Sequence, residues 1–188
     1  MKRLNTIVII GSKILEVLYW LMEILMILLL IVSVAMPNRL VEWISAWNTQ
    51  EMNVQGMAIR MVNGTGELIP STVTILAVTG VLTCALMAMV FRNIYLIFRT
   101  ARGTTWFSKG ETPFQPDTVR MVREIGIFCI AILVIELVMS VIGTLVIGTL
   151  HAEISVSMNG VVMGIIILCL SQFFAYGAQL QEDVDGLI

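Results

Sequence analysis

Four long stretches of this chain carry almost no charge, and that pattern leaves few folds open. They run from about Ser12 to Met36, Leu68 to Phe91, Ile125 to Leu150 and Ile154 to Gln181. About 20 apolar residues at 1.5 Å each cross a hydrocarbon core, so every stretch is long enough for a span. Lipid offers no partner to an unpaired backbone group, so each span is helical. A barrel would need short alternating strands instead of continuous runs. With 58% apolar and only 13% charged residues, the chain has about half the charge of a soluble domain. That excludes a cytosolic globule, a disordered chain and a basic nucleic-acid binder. The net charge of −2 implies no polyanionic partner.

The expected architecture is all-α: an antiparallel four-helix membrane bundle forming one domain over residues 1–188. Its spans are about 12–36, 68–91, 125–150 and 154–176, with a connector at 92–124 and an acidic tail at 177–188. The first apolar stretch is too long for the core of a secretory signal, is interrupted by Glu16 and Glu23, and lacks a small-x-small cleavage site.

Basic residues set the orientation. Lys2, Arg3 and Lys13 stand at the amino-terminal end, and Arg92, Arg99, Arg102, Lys109, Arg120 and Arg123 in the connector between spans two and three. The loop after span one has only Arg39 and Arg60, and the turn His151–Glu153 has no Lys or Arg. Both termini and the connector are therefore expected in the cytosol. Spans three and four are separated by about three residues and should form a membrane hairpin. In the first outer loop, Leu40 to Trp47 repeats apolar residues at i, i+3, i+4 and i+7. The pattern suits a short helix in the headgroup layer, with a substrate lid as the alternative. Asn63-Gly64-Thr65 is a turn that also matches a glycosylation sequon.

Small residues recur at helical spacing: Gly160 and Gly164 after Ser157, Ser140 with Thr144 and Gly148, and Gly80 with Cys84 and Ala88. They allow close approach of helix backbones, within one chain or in a homo-oligomer. Cys84, Cys129 and Cys169 lie in apolar runs without metal-ligand spacing.

Two acids lie deep in the spans. Glu23 is about 15 Å along a helix from Lys13, and Glu136 about 18 Å from Glu124. A charged acid there costs on the order of 2.5–3.5 kcal/mol, so both should face protein. One reading is a proton or cation relay from Glu16 through Glu23 to Glu136. The other is a pair of protonated acids bonded to hydroxyls such as Ser33, Thr79 or Ser140. His151, at the outer end of span three, reads as structural.

After Phe91 the second helix should continue to about Arg102, where Gly103 can end it. Pro116 fits the first turn of a new helix, with Asp117 beside its positive end. Gly110-Glu111-Thr112-Pro113-Phe114, followed by Arg120 and Gly126, and the ending Phe173-Phe174-Ala175-Tyr176-Gly177-Ala178-Gln179-Leu180-Gln181-Glu182-Asp183-Val184-Asp185 resemble a bacterial membrane family, domain of unknown function 2975. The four-span layout resembles it over nearly the whole chain. Gln115 departs from it, standing where the family usually has Thr or Ser. The resemblance implies location in the bacterial cytoplasmic (inner) membrane and an adjacent gene for a small helix-turn-helix regulator of the Cro/CI type. It carries no catalytic residues.

On that basis the chain is expected to be a sensor or anchor for such a regulator, without binding nucleic acid itself. Trp106, Phe107, Gly110, Pro113 and Phe114 would form the docking face, and Glu182, Asp183 and Asp185 would attract a basic surface. No catalytic, metal or cofactor constellation is expected. A small proton-coupled transporter or channel component using Glu23 and Glu136 is the alternative, and a membrane immunity protein a third.

Overall fold

The computed structural model describes residues 2–37, 39, 44, 51–54, 57–60, 69–108, 112–147 and 159–185. It contains four helices, each long and apolar enough to cross a membrane: α1 (Lys2–Ala35), α2 (Pro70–Thr100), α3 (Pro116–Ile147) and α4 (Asn159–Asp185). The chain is thus built as a multi-pass membrane protein. Ile14, Leu21, Leu25, Leu28 and Ile31 of α1 are all exposed. Water would penalise that surface, whereas lipid does not. Over half of the most apolar stretch of α2 is buried, against almost none of α1.

Helix ends follow local chemistry. α1 begins at Lys2, well before the expected span, because residues 2–10 contain neither Gly nor Pro. α2 runs on past its apolar stretch and closes on Gly103, whose φ of 66° is readily available only to glycine. The Gly103 amide donates to the Thr100 carbonyl and the Thr104 amide to that of Arg99, the paired bonds of a Schellman cap. α3 starts at Pro116 with Asp117 in its first turn, and the Val119 amide donates to the Gln115 carbonyl.

Between α1 and α2 the chain forms a hairpin that the helical reading missed. β1 (Glu51–Val54) pairs antiparallel with β2 (Met57–Arg60), Val54 opposite Met57 and Glu51 opposite Arg60. The overlooked signal is alternation: residues 52, 54, 57 and 59 are apolar, with Gly56 in the two-residue connection. Of the expected headgroup helix at 40–47, only Ile44 is described; it is helical and packs on the core. Gly110, Gly148, His151, Asn63-Gly64-Thr65 and the turn before α4 lie outside the described residues.

The residues group into two compact units: residues 1–19, 86–131 and 159–188, and residues 20–85 and 132–158. In the second unit, Val73, Ile75, Leu76 and Met139 form a buried cluster against Leu29, Val32 and Ile135. The Met26 side chain sits over Gly80, and Thr74 Oγ1 donates to Ser33 Oγ at 3.3 Å.

In the first unit, Tyr19 stacks on Phe91, Lys13 lies over the Tyr95 ring, and an Arg102 nitrogen donates to Thr6 Oγ1. α3 and α4 meet where two glycines face each other. A Cβ on Gly164 would lie 2.7 Å from Ile130 Cγ1 and 3.1 Å from the Gly126 carbonyl oxygen. A Cβ on Gly126 would lie 3.1 Å from the Gly164 oxygen. Gly164, singled out in the sequence for packing, does this work within the chain, and its partner Gly126 had not been assigned that role.

Gly164→Leu should therefore lower the stability of the detergent-solubilised protein by about 1–3 kcal/mol, because a backbone oxygen cannot yield as a side chain can. Gly143 is buried but has nothing within 4 Å of its would-be Cβ. Gly143→Ala should be neutral or stabilising by about 0.5–1 kcal/mol. Thermal unfolding followed by circular dichroism compares the two.

Candidate functional site

The first unit carries the richest constellation of polar and aromatic side chains. Thr112 organises the approach to α3. Its hydroxyl accepts a bond from the Phe114 amide at 3.2 Å and donates to Gln181 Oε1 at 2.7 Å. The first contact is a hydroxyl-stabilised turn, which Ser and Thr readily form. Gln115 is buried, and its Nε2 donates to the Thr112 carbonyl at 2.8 Å. Phe114 lies on Phe174, ring centroids 5.8 Å apart, and directly over Gly177. A Cβ on Gly177 would come within 2.6 Å of the Phe114 ring.

This geometry gives Phe114 a contact within the chain. It is 41% exposed, and its ring closes the connector onto α4. Trp106 differs: it is 95% exposed, its ring held edge-to-face against Phe107 with centroids 5.4 Å apart. Pro113, Glu182 and Asp183 are exposed, and the side chain of Asp185 lies outside the described set.

Connector and tail form no ion pair with each other among the described residues. Among the described residues, Glu182 and Asp183 form no ion pair, whereas several arginines are engaged elsewhere. Arg120 Nε donates to Glu124 Oε1 at 2.8 Å, and Asn93 Nδ2 to the other Glu124 oxygen at 3.1 Å. Arg99 reaches the Tyr95 hydroxyl and the Thr104 carbonyl. Lys13 pairs with the buried Glu16 at 3.0 Å. Glu16 is thus placed as a structural partner of a base one turn away.

Two cavities open in this unit. One, of about 430 Å³, lies beside Phe114 and is lined by Gln115, Val119, Ala178 and Glu182 among others. The other, about 440 Å³, is lined by Arg92, Asn93, Asp117, Arg120, Glu124 and Phe107 together with apolar residues of α2 and α3. Sequence reading overlooked this second group. The available signal was that Arg92 is the first charge after the apolar run of α2, and Glu124 the last before that of α3.

In the second unit, Glu136 is 8% exposed and Ser33, Thr79, Thr83 and Ser140 are buried. The hydroxyls are largely committed to their own helices: Thr79 donates to the Ile75 carbonyl, Thr83 to Thr79 and Thr144 to Ser140. Glu23 Oε2 is buried without a hydrogen-bond partner. The expected bonds from Ser33, Thr79 and Ser140 to the two acids are not formed. Among the described residues, no cluster of His, Cys, Asp and Glu could hold a metal ion.

No family model matches the chain, and neither a curated protein nor a solved structure matches it.

Thr112→Val removes the bond to Gln181, and Phe114→Ala opens the space over Gly177. Each should loosen the end of α4, the first by about 1 kcal/mol. Faster amide exchange over residues 177–185, with unchanged exchange in α2, is the expected readout.

Proposed function

We propose that this chain is a membrane anchor for a small, basic cytosolic protein, a helix-turn-helix regulator of the Cro/CI type being the partner implied by the family resemblance. The proposed arrangement is an antiparallel four-helix bundle in a bacterial cytoplasmic membrane, with both termini and the connector in the cytosol. Its orientation rests on the bias of Lys and Arg toward the amino-terminal end and connector. Within each unit, contacts from α1 to α2 support the antiparallel arrangement. As α1 numbering rises through Thr6, Lys13 and Tyr19, the partners descend through Arg102, Tyr95 and Phe91. Met26 and Ser33 likewise pair with Gly80 and Thr74.

One observation carries the partner reading. α4 extends beyond its uncharged run to present Glu182 and Asp183 exposed, with no described base paired to either. Unspent acidic charge steers a basic surface into encounter. Trp106 adds a large apolar side chain of the kind that anchors interfaces.

Co-elution of the adjacently encoded regulator with the full chain in mild detergent tests the reading. Replacing Glu182 and Asp183 together by Lys should reduce co-elution at least ten-fold, and Trp106→Ala should reduce it comparably. A cysteine at position 106 should react with an impermeant reagent only in opened membranes. A regulator that never co-elutes, or labelling from outside intact cells, would overturn the proposal.

The buried, unpartnered Oε2 of Glu23 favours a second reading, a proton- or cation-coupled pathway through Glu23 and Glu136. Under it, replacing both acids by Gln abolishes flux into proteoliposomes. An anchor retains its partner after the same change.

A further inference from the structure

We infer that the groove between α2 and α3 in the first unit is a binding site for a zwitterionic phospholipid headgroup, with a phosphodiester at Arg92 and a primary ammonium at Asp117. The groove measures about 440 Å³ and has four charged side chains in its lining. Arg120 and Glu124 neutralise each other at 2.8 Å, and Asn93 occupies the second oxygen of Glu124. The remaining cation and acid, Arg92 and Asp117, have no ion pair or hydrogen bond among the described residues. The groove thus presents one unspent positive and one unspent negative group. A ligand carrying one phosphate charge and one ammonium charge complements it; a purely anionic headgroup leaves Asp117 facing like charge.

The walls supply the second argument. Met89, Leu96, Met121 and Phe128 line the same groove. Arg92 closes the apolar run of α2, and Glu124 lies immediately before that of α3. The charged and greasy parts of the groove therefore meet where each helix changes from polar to apolar, which is the headgroup level of a bilayer. Basic pockets between membrane helices are a recurrent way to hold lipid headgroups, and a guanidinium matches phosphate geometry well. The apolar walls commit the site to a lipid over a soluble phosphoester, since the acyl chain has surface to cover. Trp106 and Phe107 of the proposed partner face also border the groove, but Arg92 and Asp117 do not belong to that face, so variants at these two positions separate the two proposals.

The test uses the delipidated full chain in detergent, titrated with phosphatidylethanolamine, phosphatidylglycerol or phosphatidylcholine of identical acyl chains. Native mass spectrometry reads bound lipid, with soluble glycerophosphoethanolamine as a fourth arm. Phosphatidylethanolamine should bind at least ten-fold more tightly than either other lipid and than the soluble headgroup. Arg92→Gln should weaken its binding about ten-fold. Asp117→Asn should remove the preference and raise phosphatidylglycerol binding relative to phosphatidylethanolamine, a reversal that general loosening of the fold would not produce. Arg92 is exposed and makes no described hydrogen bond or ion pair, so its variant decides the matter even where Asp117→Asn folds poorly. Equal binding of the three lipids, an unaffected Arg92→Gln variant, or equally tight binding of the soluble headgroup would each overturn the proposal.

Discussion

In hydrocarbon a polar group finds no solvent to bond, and this constraint runs through every part of the molecule. It makes the spans helical, because only a helix satisfies its backbone within one segment. It also governs side chains. Thr79, Thr83 and Thr144 turn their hydroxyls back to carbonyls one turn earlier on their own helices. A threonine that does so behaves outwardly as a compact apolar residue. Thr79 and Thr83 are accordingly fully buried, among the most enclosed side chains of α2.

The same constraint moves the burden of association from hydrophobicity to fit. Lipid tails are as apolar as leucine, so apolar burial gives helices little reason to prefer each other. Close approach does. At Gly126 and Gly164 each backbone lies near enough that a methyl group would meet the other's carbonyl oxygen. At Gly80 the space is filled by Met26, and at Gly177 by Phe114. Three of these four glycines lie in the first unit and one in the second, and each pairs a missing side chain with a specific neighbour.

The sequence made the four helices legible because a continuous uncharged run has one physical interpretation at this length. It also announced the end of α2, since Gly103 offers the left-handed conformation its cap requires, and the start of α3 at Pro116. The hairpin at 51–60 was hidden because a short period-2 pattern carries little weight beside long apolar runs. The partner of Gly164 could not be read, because small-residue spacing names a face and not what it meets. The packing of Phe114 was hidden for a related reason: a phenylalanine in a polar connector names no neighbour until the glycine beneath it is placed. The groove around Arg92 and Asp117 was missed because its residues are far apart in sequence, and each looks like an ordinary boundary charge.

Charge at the first unit's polar end is distributed by the same economy. Exposed ion pairs contribute about 0–1 kcal/mol, too little to fasten a helix end by themselves. The connector is instead fastened to α4 by an aromatic ring in a glycine notch and one hydroxyl–amide bond. Arg99 meets Tyr95 and Arg120 meets Glu124 on their own helices, and Arg102 reaches the Thr6 hydroxyl of α1. Glu182 and Asp183 are thereby spared any structural duty among the described residues. A helix end held by packing can keep its charge available for something outside the chain, which a helix end held by ion pairs could not do without loosening itself.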